Sequence, residues 1–235
     1  MKYEELGKGK VKRTQRRTIG LFIDGTGLDR ATRRINRKVD MSALVKGVTS
    51  GLTPAVARYY TLIPYEDDSR QRAFLDAVAR AGLAVIVKRL PPKGVTRQVS
   101  VDVEMAADII AFSRGLSHFS NLSEYRPQEL EGQTPYGVMP RPASALRDAA
   151  QPAEASSVNG SAEAAENTEE TGKAPEQRIV TIVCPSRDLS YPISLAKDLG
   201  VDTVSADFGS FIGSDVLKSA AKWIDLSDSE TIWRD

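Results

Sequence analysis

The sequence is poor in the residues that serve the commonest site chemistries. A single cysteine, Cys184, stands among 235 residues. That excludes an intrachain disulfide and a zinc knuckle built from this chain, and it fits a reducing compartment. A single histidine, His118, leaves little room for histidine-based proton transfer. Aromatic residues amount to 6%, and no run approaches the ~18 uninterrupted apolar residues of a membrane span. The basic start is not followed by the apolar core of a signal peptide, so the expectation is a cytoplasmic protein without membrane contact. Net charge is also nearly absent, at +1, because 32 basic and 31 acidic residues cancel. The charges are segregated, however. Lys8, Lys10, Lys12, Arg13, Arg16 and Arg17 crowd the start and Arg30, Arg33, Arg34, Arg37 and Lys38 follow, whereas Glu163, Glu166, Glu169, Glu170 and Glu176 cluster in the later middle. Two readings stay open: solvated segments, or an edge that attracts a polyanion.

What is present is a regular alternation. With 41% hydrophobic residues the chain can build one core of ordinary size. Thr18 to Ile23 reads as a buried strand, and Met41, Leu44, Val45 and Val48 recur at helical spacing. Ala57 to Ile63 is a second strand. Phe74, Leu75, Val78 and Ala81 form a helical stripe, with Asp68 or Ser69 as cap and Gly82 as stop. Leu83 to Leu90 is a third strand, and Val101, Met105, Ile109 and Phe112 mark the next helix. The pattern then fails over 114–177, rich in Pro, Ser, Ala, Gly and Glu, which reads as a disordered insertion. It resumes with the strand Arg178 to Cys184, a short helix from Ile193 to Leu199 and the strand Val201 to Ala206. A last helix follows, capped by Ser214 and carrying Val216, Leu217, Ala220 and Ile224. Trp223 lies beside that stripe and is expected in the core, while Trp233 falls in a tail that docks on the domain or on a partner. Strands interleaved with helices imply an α/β fold, a doubly wound, mostly parallel sheet in three layers.

In such sheets ligands bind beyond the carboxyl ends of the strands. There the first strand ends in "LFIDGTGL", and the question is what Asp24 is for. Gly25 and Gly27 begin a GxGxxG, but Arg30 occupies the last glycine's place, so a dinucleotide fingerprint is incomplete. The DxDGT loop of haloacid dehalogenase phosphatases needs a nucleophilic aspartate where this chain has Phe22. The remaining reading is a carboxylate that holds a divalent cation, which requires partners. Asp108 sits on the otherwise apolar stripe of the helix from Val101. Glu104 precedes it by four residues, a repulsion of a few tenths of a kcal/mol unless a cation intervenes. Asp102, in the first turn, is also served by the helix dipole alone. Asp188 follows the fourth strand. Oxygen ligands of this kind suit Mg²⁺ or Mn²⁺.

"TIGLFIDGTGL", "VDVEMAADII", "IVTIVCPSRDLSYPISLAKDLG" and "SDVLKSAAKWIDL" resemble, in order, the NYN domain, a relative of PIN nucleases that includes the LabA-like proteins. That resemblance implies a PIN-like domain split over 18–113 and 178–226, with a basic tail at 1–17, the insertion at 114–177 and a C-terminal tail at 227–235. It matches Asp24, Asp102, Asp108 and Asp188 to the family's acidic positions, and so implies that these four are catalytic and hold Mg²⁺ or Mn²⁺ for hydrolysis of RNA. Lys93, Arg97 and Arg187 are candidate contacts to the RNA backbone. Two departures stand out. Many members carry asparagine where this chain has Gly27, and the third motif reads "SRDLSY", with Arg187 for glycine and Ser190 for the second aspartate. Asp207, after the last strand, is a candidate compensating carboxylate or a loop residue. The expectation is therefore a metal-dependent endoribonuclease, with a catalytically weakened RNA- or protein-binding module as the alternative and the insertion as a surface for a protein partner.

Overall fold

The computed structural model describes residues 16–65, 69–119, 123–125, 176–209 and 214–234. Six strands, β1 (Arg16–Asp24), β2 (Val56–Ile63), β3 (Ala84–Arg89), β4 (Glu176–Val183), β5 (Asp202–Asp207) and β6 (Lys222–Asp225), form one sheet in the order β3-β2-β1-β4-β5-β6. Every pairing is parallel. The helices α1 (Gly25–Arg34), α2 (Met41–Val48), α3 (Ser69–Arg80), α4 (Asp102–Ser113), α5 (Ser190–Asp198) and α6 (Ser214–Ser219) alternate with the strands. Among the described residues no helix is long and apolar enough to cross a membrane.

Alternation within β1 sorts its side chains onto two cores. Leu21 and Ile23 meet Leu28, Leu44, Leu75 and Val78 from α1, α2 and α3. Phe22 points the other way, to Met105, Ile109 and Phe112 of α4 and Ile193 of α5. The period of two along the strand thus builds the three layers directly. Since β1 pairs β2 on one side and β4 on the other, the chain changes winding direction between β1 and β4, and the crevice at their carboxyl ends is where this architecture receives ligands.

Several elements differ from the sequence-based expectations. A helix, α1, starts directly after β1, where the two glycines suggest a loop. The expected last helix stops at Ser219, whose hydroxyl donates to the Val216 carbonyl, and Ala221 N–H turns to the Thr203 carbonyl to begin β6. Trp223 therefore sits on an edge strand and is 42% exposed, not core. Helical spacing at 216, 217, 220 and 224 overlaps a four-residue strand too short to display its own period. The final segment packs on the domain: Asp40 N–H donates to Ile232 O and Trp233 bridges Val39. The Trp233 ring lies against Phe208, with the Arg37 guanidinium 4.1 Å from its centroid. Part of the stretch assigned to the insertion also packs, since Tyr125 N–H donates to Val85 O and its hydroxyl to Asp76. Most of 114–177, the segment 1–15 and the cap position Asp68 lie outside the described residues.

Candidate active site

Asp24 ends β1 and at the same time caps α1, its Oδ1 accepting from Gly27 N–H at 3.0 Å. The helix start is pressed against the sheet. A Cβ on Gly25 would lie 2.3 Å from the Tyr59 ring, and one on Gly27 would lie 2.3 Å from the Cys184 carbonyl oxygen. Cys184 itself turns into the left-handed region, φ 50°, where β4 ends. The glycine at 27 is thus fixed by the close approach of α1 to the end of β4, which leaves no volume for a side chain there. Gly27→Ala is expected to lower stability by about 1–3 kcal/mol, because a backbone carbonyl cannot yield as a side chain can; thermal unfolding measures it. The dinucleotide reading loses its basis here, since the helix N-terminus that would face a pyrophosphate is already capped by Asp24.

Asp24 is 4% exposed, and burial pushes its carboxyl up to about 6, opposed by the Gly27 N–H and reinforced by the negative charge of Asp102. Asp102 opens α4, and its position is set from three sides. Ser100 donates its hydroxyl to Oδ2, Ser186 donates to Oδ1 at 2.9 Å, and the Asp102 N–H donates to Ser100 Oγ at 3.0 Å. The turn bearing Ser100 is held in place by Lys88 on β3, whose ammonium donates to the Ser100 carbonyl at 2.7 Å and pairs with Glu104. Two carboxylates with fixed orientation, one ending β1 and one opening α4, are thus near enough for the charge of Asp102 to act on Asp24. Ser100, Ser186 and Lys88 were not singled out from the sequence. The only available signal was a serine two residues before an acid in both "SVD" and "SRD", and Lys88 gave none.

Asp108 and Asp188 are placed differently. Asp108 lies six residues after Asp102, about 9 Å farther along the helix axis. It is buried, and its Oδ2 accepts from Arg58 and from the Tyr60 hydroxyl, each at 2.7 Å. The repulsion between Glu104 and Asp108 is thus relieved by two protein cations, Lys88 and Arg58, and not by a shared ion. Asp188 is exposed on the short 3₁₀ turn Arg187–Leu189 that follows β4, two residues after Ser186. Among the described residues no group of three acidic, histidine or cysteine side chains is arranged to hold a metal ion. Arg187 forms an ion pair with Asp215 at 2.7 Å, and Ser190 Oγ donates to the Arg187 carbonyl, so both substituted positions of the third motif serve the turn itself. Lys93 and Arg97 are exposed on the loop between β3 and α4. Asp207 ends β5 buried, with its carboxyl raised by desolvation. It accepts from Phe208 N–H and the Cys184 thiol, a local loop role.

No curated protein matches this chain. The crystal structure of a protein of unknown function from Vibrio parahaemolyticus is similar, with a TM-score of 0.57 over 94% of this chain and 97% of that one. The two are 10% identical, so the likeness concerns fold alone. The family model described as NYN domain matches residues 18–123, the stretch from β1 through α4 that supplies both Asp24 and Asp102. Residues 18–123 thus match the NYN domain, a member of the PIN-like nuclease superfamily.

Proposed function

We propose that the protein is a Mg²⁺- or Mn²⁺-dependent ribonuclease-like enzyme that hydrolyses RNA phosphodiester bonds at the crevice between β1 and β4. The observation that carries this reading is that Asp24, at the sheet's switch point, feels the negative charge of Asp102 at the start of α4. NYN and PIN-like nucleases generally use divalent metals. The donor set here fits one: two carboxylates suffice for Mg²⁺, which keeps waters and takes phosphate oxygens as further ligands. The charge imbalance at Asp24, desolvated and next to a second acid, is the kind that a cation relieves.

Asp24 and Asp102 would hold the ion. When bound, it supplies positive charge to the scissile phosphate and acidifies an attacking water. Ser100 and Ser186 fix the Asp102 carboxylate by their hydroxyls, and Lys88 fixes Ser100. Asp188 is exposed on the turn after β4, two residues beyond Ser186. Lys93 and Arg97, exposed on the loop between β3 and α4, would hold backbone phosphates, a salt-sensitive contribution without sequence preference. Arg187 is occupied by Asp215 and Asp108 by Arg58, so neither is assigned to substrate or metal.

Purified protein incubated with mixed RNAs is expected to cleave them with Mn²⁺ or Mg²⁺ and to be inert in EDTA, with Asp102→Asn lowering the rate at least a hundredfold. A second reading, an RNA-binding module without cleavage, is favoured by the absence of a three-acid group among the described residues. RNA binding that is indifferent to metal and to Asp102→Asn, without product, would establish that reading and sink the first.

A further inference from the structure

α4 and α5 pack together and both begin at the carboxyl edge of the sheet. Their starts are joined by the bond from Ser186 Oγ to Asp102 Oδ1. The first turn of each helix carries an apolar side chain left in solvent: Val103, 72% exposed, directly after Asp102, and Tyr191, 74% exposed, five residues after Ser186. These are the two most exposed large apolar side chains among the described residues. Among those residues Tyr191 has no ring contact and no hydrogen bond, so the fold makes no use of it.

Single exposed apolar residues are common and need no special cause. Two features set this pair apart. Both follow closely in sequence the two residues whose hydrogen bond fixes the candidate site, and exposed cations lie on the elements that adjoin that site in sequence. Arg30 on α1 acts electrostatically on Asp24, and Lys93 and Arg97 extend from the loop before α4 without an ion pair among the described residues. An exposed π-face on one element at the sheet's carboxyl edge, with exposed cations on others at that edge, matches a single polynucleotide strand, whose phosphates follow positive charge while an unstacked base covers the ring. A duplex keeps its bases stacked and offers no such face.

We propose that Tyr191 is a stacking platform that receives one base of single-stranded RNA beside the Asp24–Asp102 pair and so sets strand preference at the site. This rests on the ribonuclease-like reading, but its test reads binding rather than cleavage. Fluorescein-labelled 12-nucleotide single-stranded RNA, and the same sequence as a duplex, are titrated in EDTA by fluorescence anisotropy. Wild type, Tyr191→Ala, Tyr191→Phe and Tyr191→Trp are compared, with melting temperatures measured for each. Single-strand affinity should fall about 5- to 100-fold in Tyr191→Ala and be retained in Tyr191→Phe, with duplex affinity unchanged. Added single-stranded RNA should quench the indole emission of Tyr191→Trp beyond any quenching seen with wild type. Equal single-strand affinity for wild type and Tyr191→Ala, or no extra quenching in Tyr191→Trp, would overturn the platform and leave the nuclease reading standing. If wild type bound neither RNA, both would fail together.

Discussion

Asp24→Asn should make the metal-free protein more stable at pH 8, by up to about 3 kcal/mol, and at the same time abolish its stabilisation by Mn²⁺. The first effect follows from linkage. The carboxyl is raised from the ordinary 3.8 to about 6 by burial, with Asp102 adding to the shift. In the folded state it therefore holds its proton over a range where the unfolded chain has already released it. Stability contributed by this group is full below about pH 4, declines as pH rises toward 6, and is gone above about 7. The gap of roughly two pKa units corresponds to about 3 kcal/mol. The side chain is 4% exposed, so solvent screening does not erode the figure. Asparagine retains an oxygen for the Gly27 N–H and remains a good cap, so α1 keeps its start. Thermal unfolding in EDTA from pH 4 to 8 should show wild-type stability falling across the window and the variant nearly flat.

The second effect is the functional signature. On the proposed reading, the free energy stored in the uncompensated carboxylate is returned when a cation binds, and saturating Mn²⁺ should add stability by mass action, about 2.7 kcal/mol at a hundred times Kd. In Asp24→Asn the charge that recruits the ion is halved, and Mn²⁺ should leave the melting temperature unchanged. A wild-type protein insensitive to both pH 4–7 and Mn²⁺ would remove the basis for a cation site at Asp24.

The fold was legible because its signals are repeated. Buried strands such as Leu21–Ile23 and helical stripes such as Leu75–Val78 each point to one answer, and the alternation restricts the topology. Short elements were lost where one signal masked another. Gly25 and Gly27 argue for a loop, although α1 begins there, because the reason for both glycines is contact with Tyr59 and the Cys184 carbonyl, invisible in a linear reading. For the acids, topology was legible where each sits at the end of an element. Asp24 ends a strand and Asp102 opens a helix, and both ends lie on the same edge by topology alone. The partner of Asp108 was not legible, since Arg58 lies 50 residues earlier on β2 and nothing in the intervening sequence announces the pairing.

That pairing gives the last expected result. Arg58→Met should destabilise the protein by about 3–5 kcal/mol, because it leaves the Asp108 carboxylate buried with only the Tyr60 hydroxyl as partner. The guanidinium also donates to the Phe119 carbonyl and lies 4.2 Å from that ring's centroid, so residues around 119 should loosen with it. Arg58→Met combined with Asp108→Leu should recover much of the loss, since removing both charges costs far less than removing one. Asp108→Asn separates the two roles that an acid on α4 can have. If Asp108 neutralises Arg58, this variant loses stability in urea titrations in EDTA while its Mn²⁺ midpoint stays that of wild type. If it ligates the ion, stability in EDTA holds and the Mn²⁺ response disappears. The bond lengths of 2.7 Å to Arg58 and Tyr60 favour the first outcome, and with it a cation site built from the start of α4 rather than its middle.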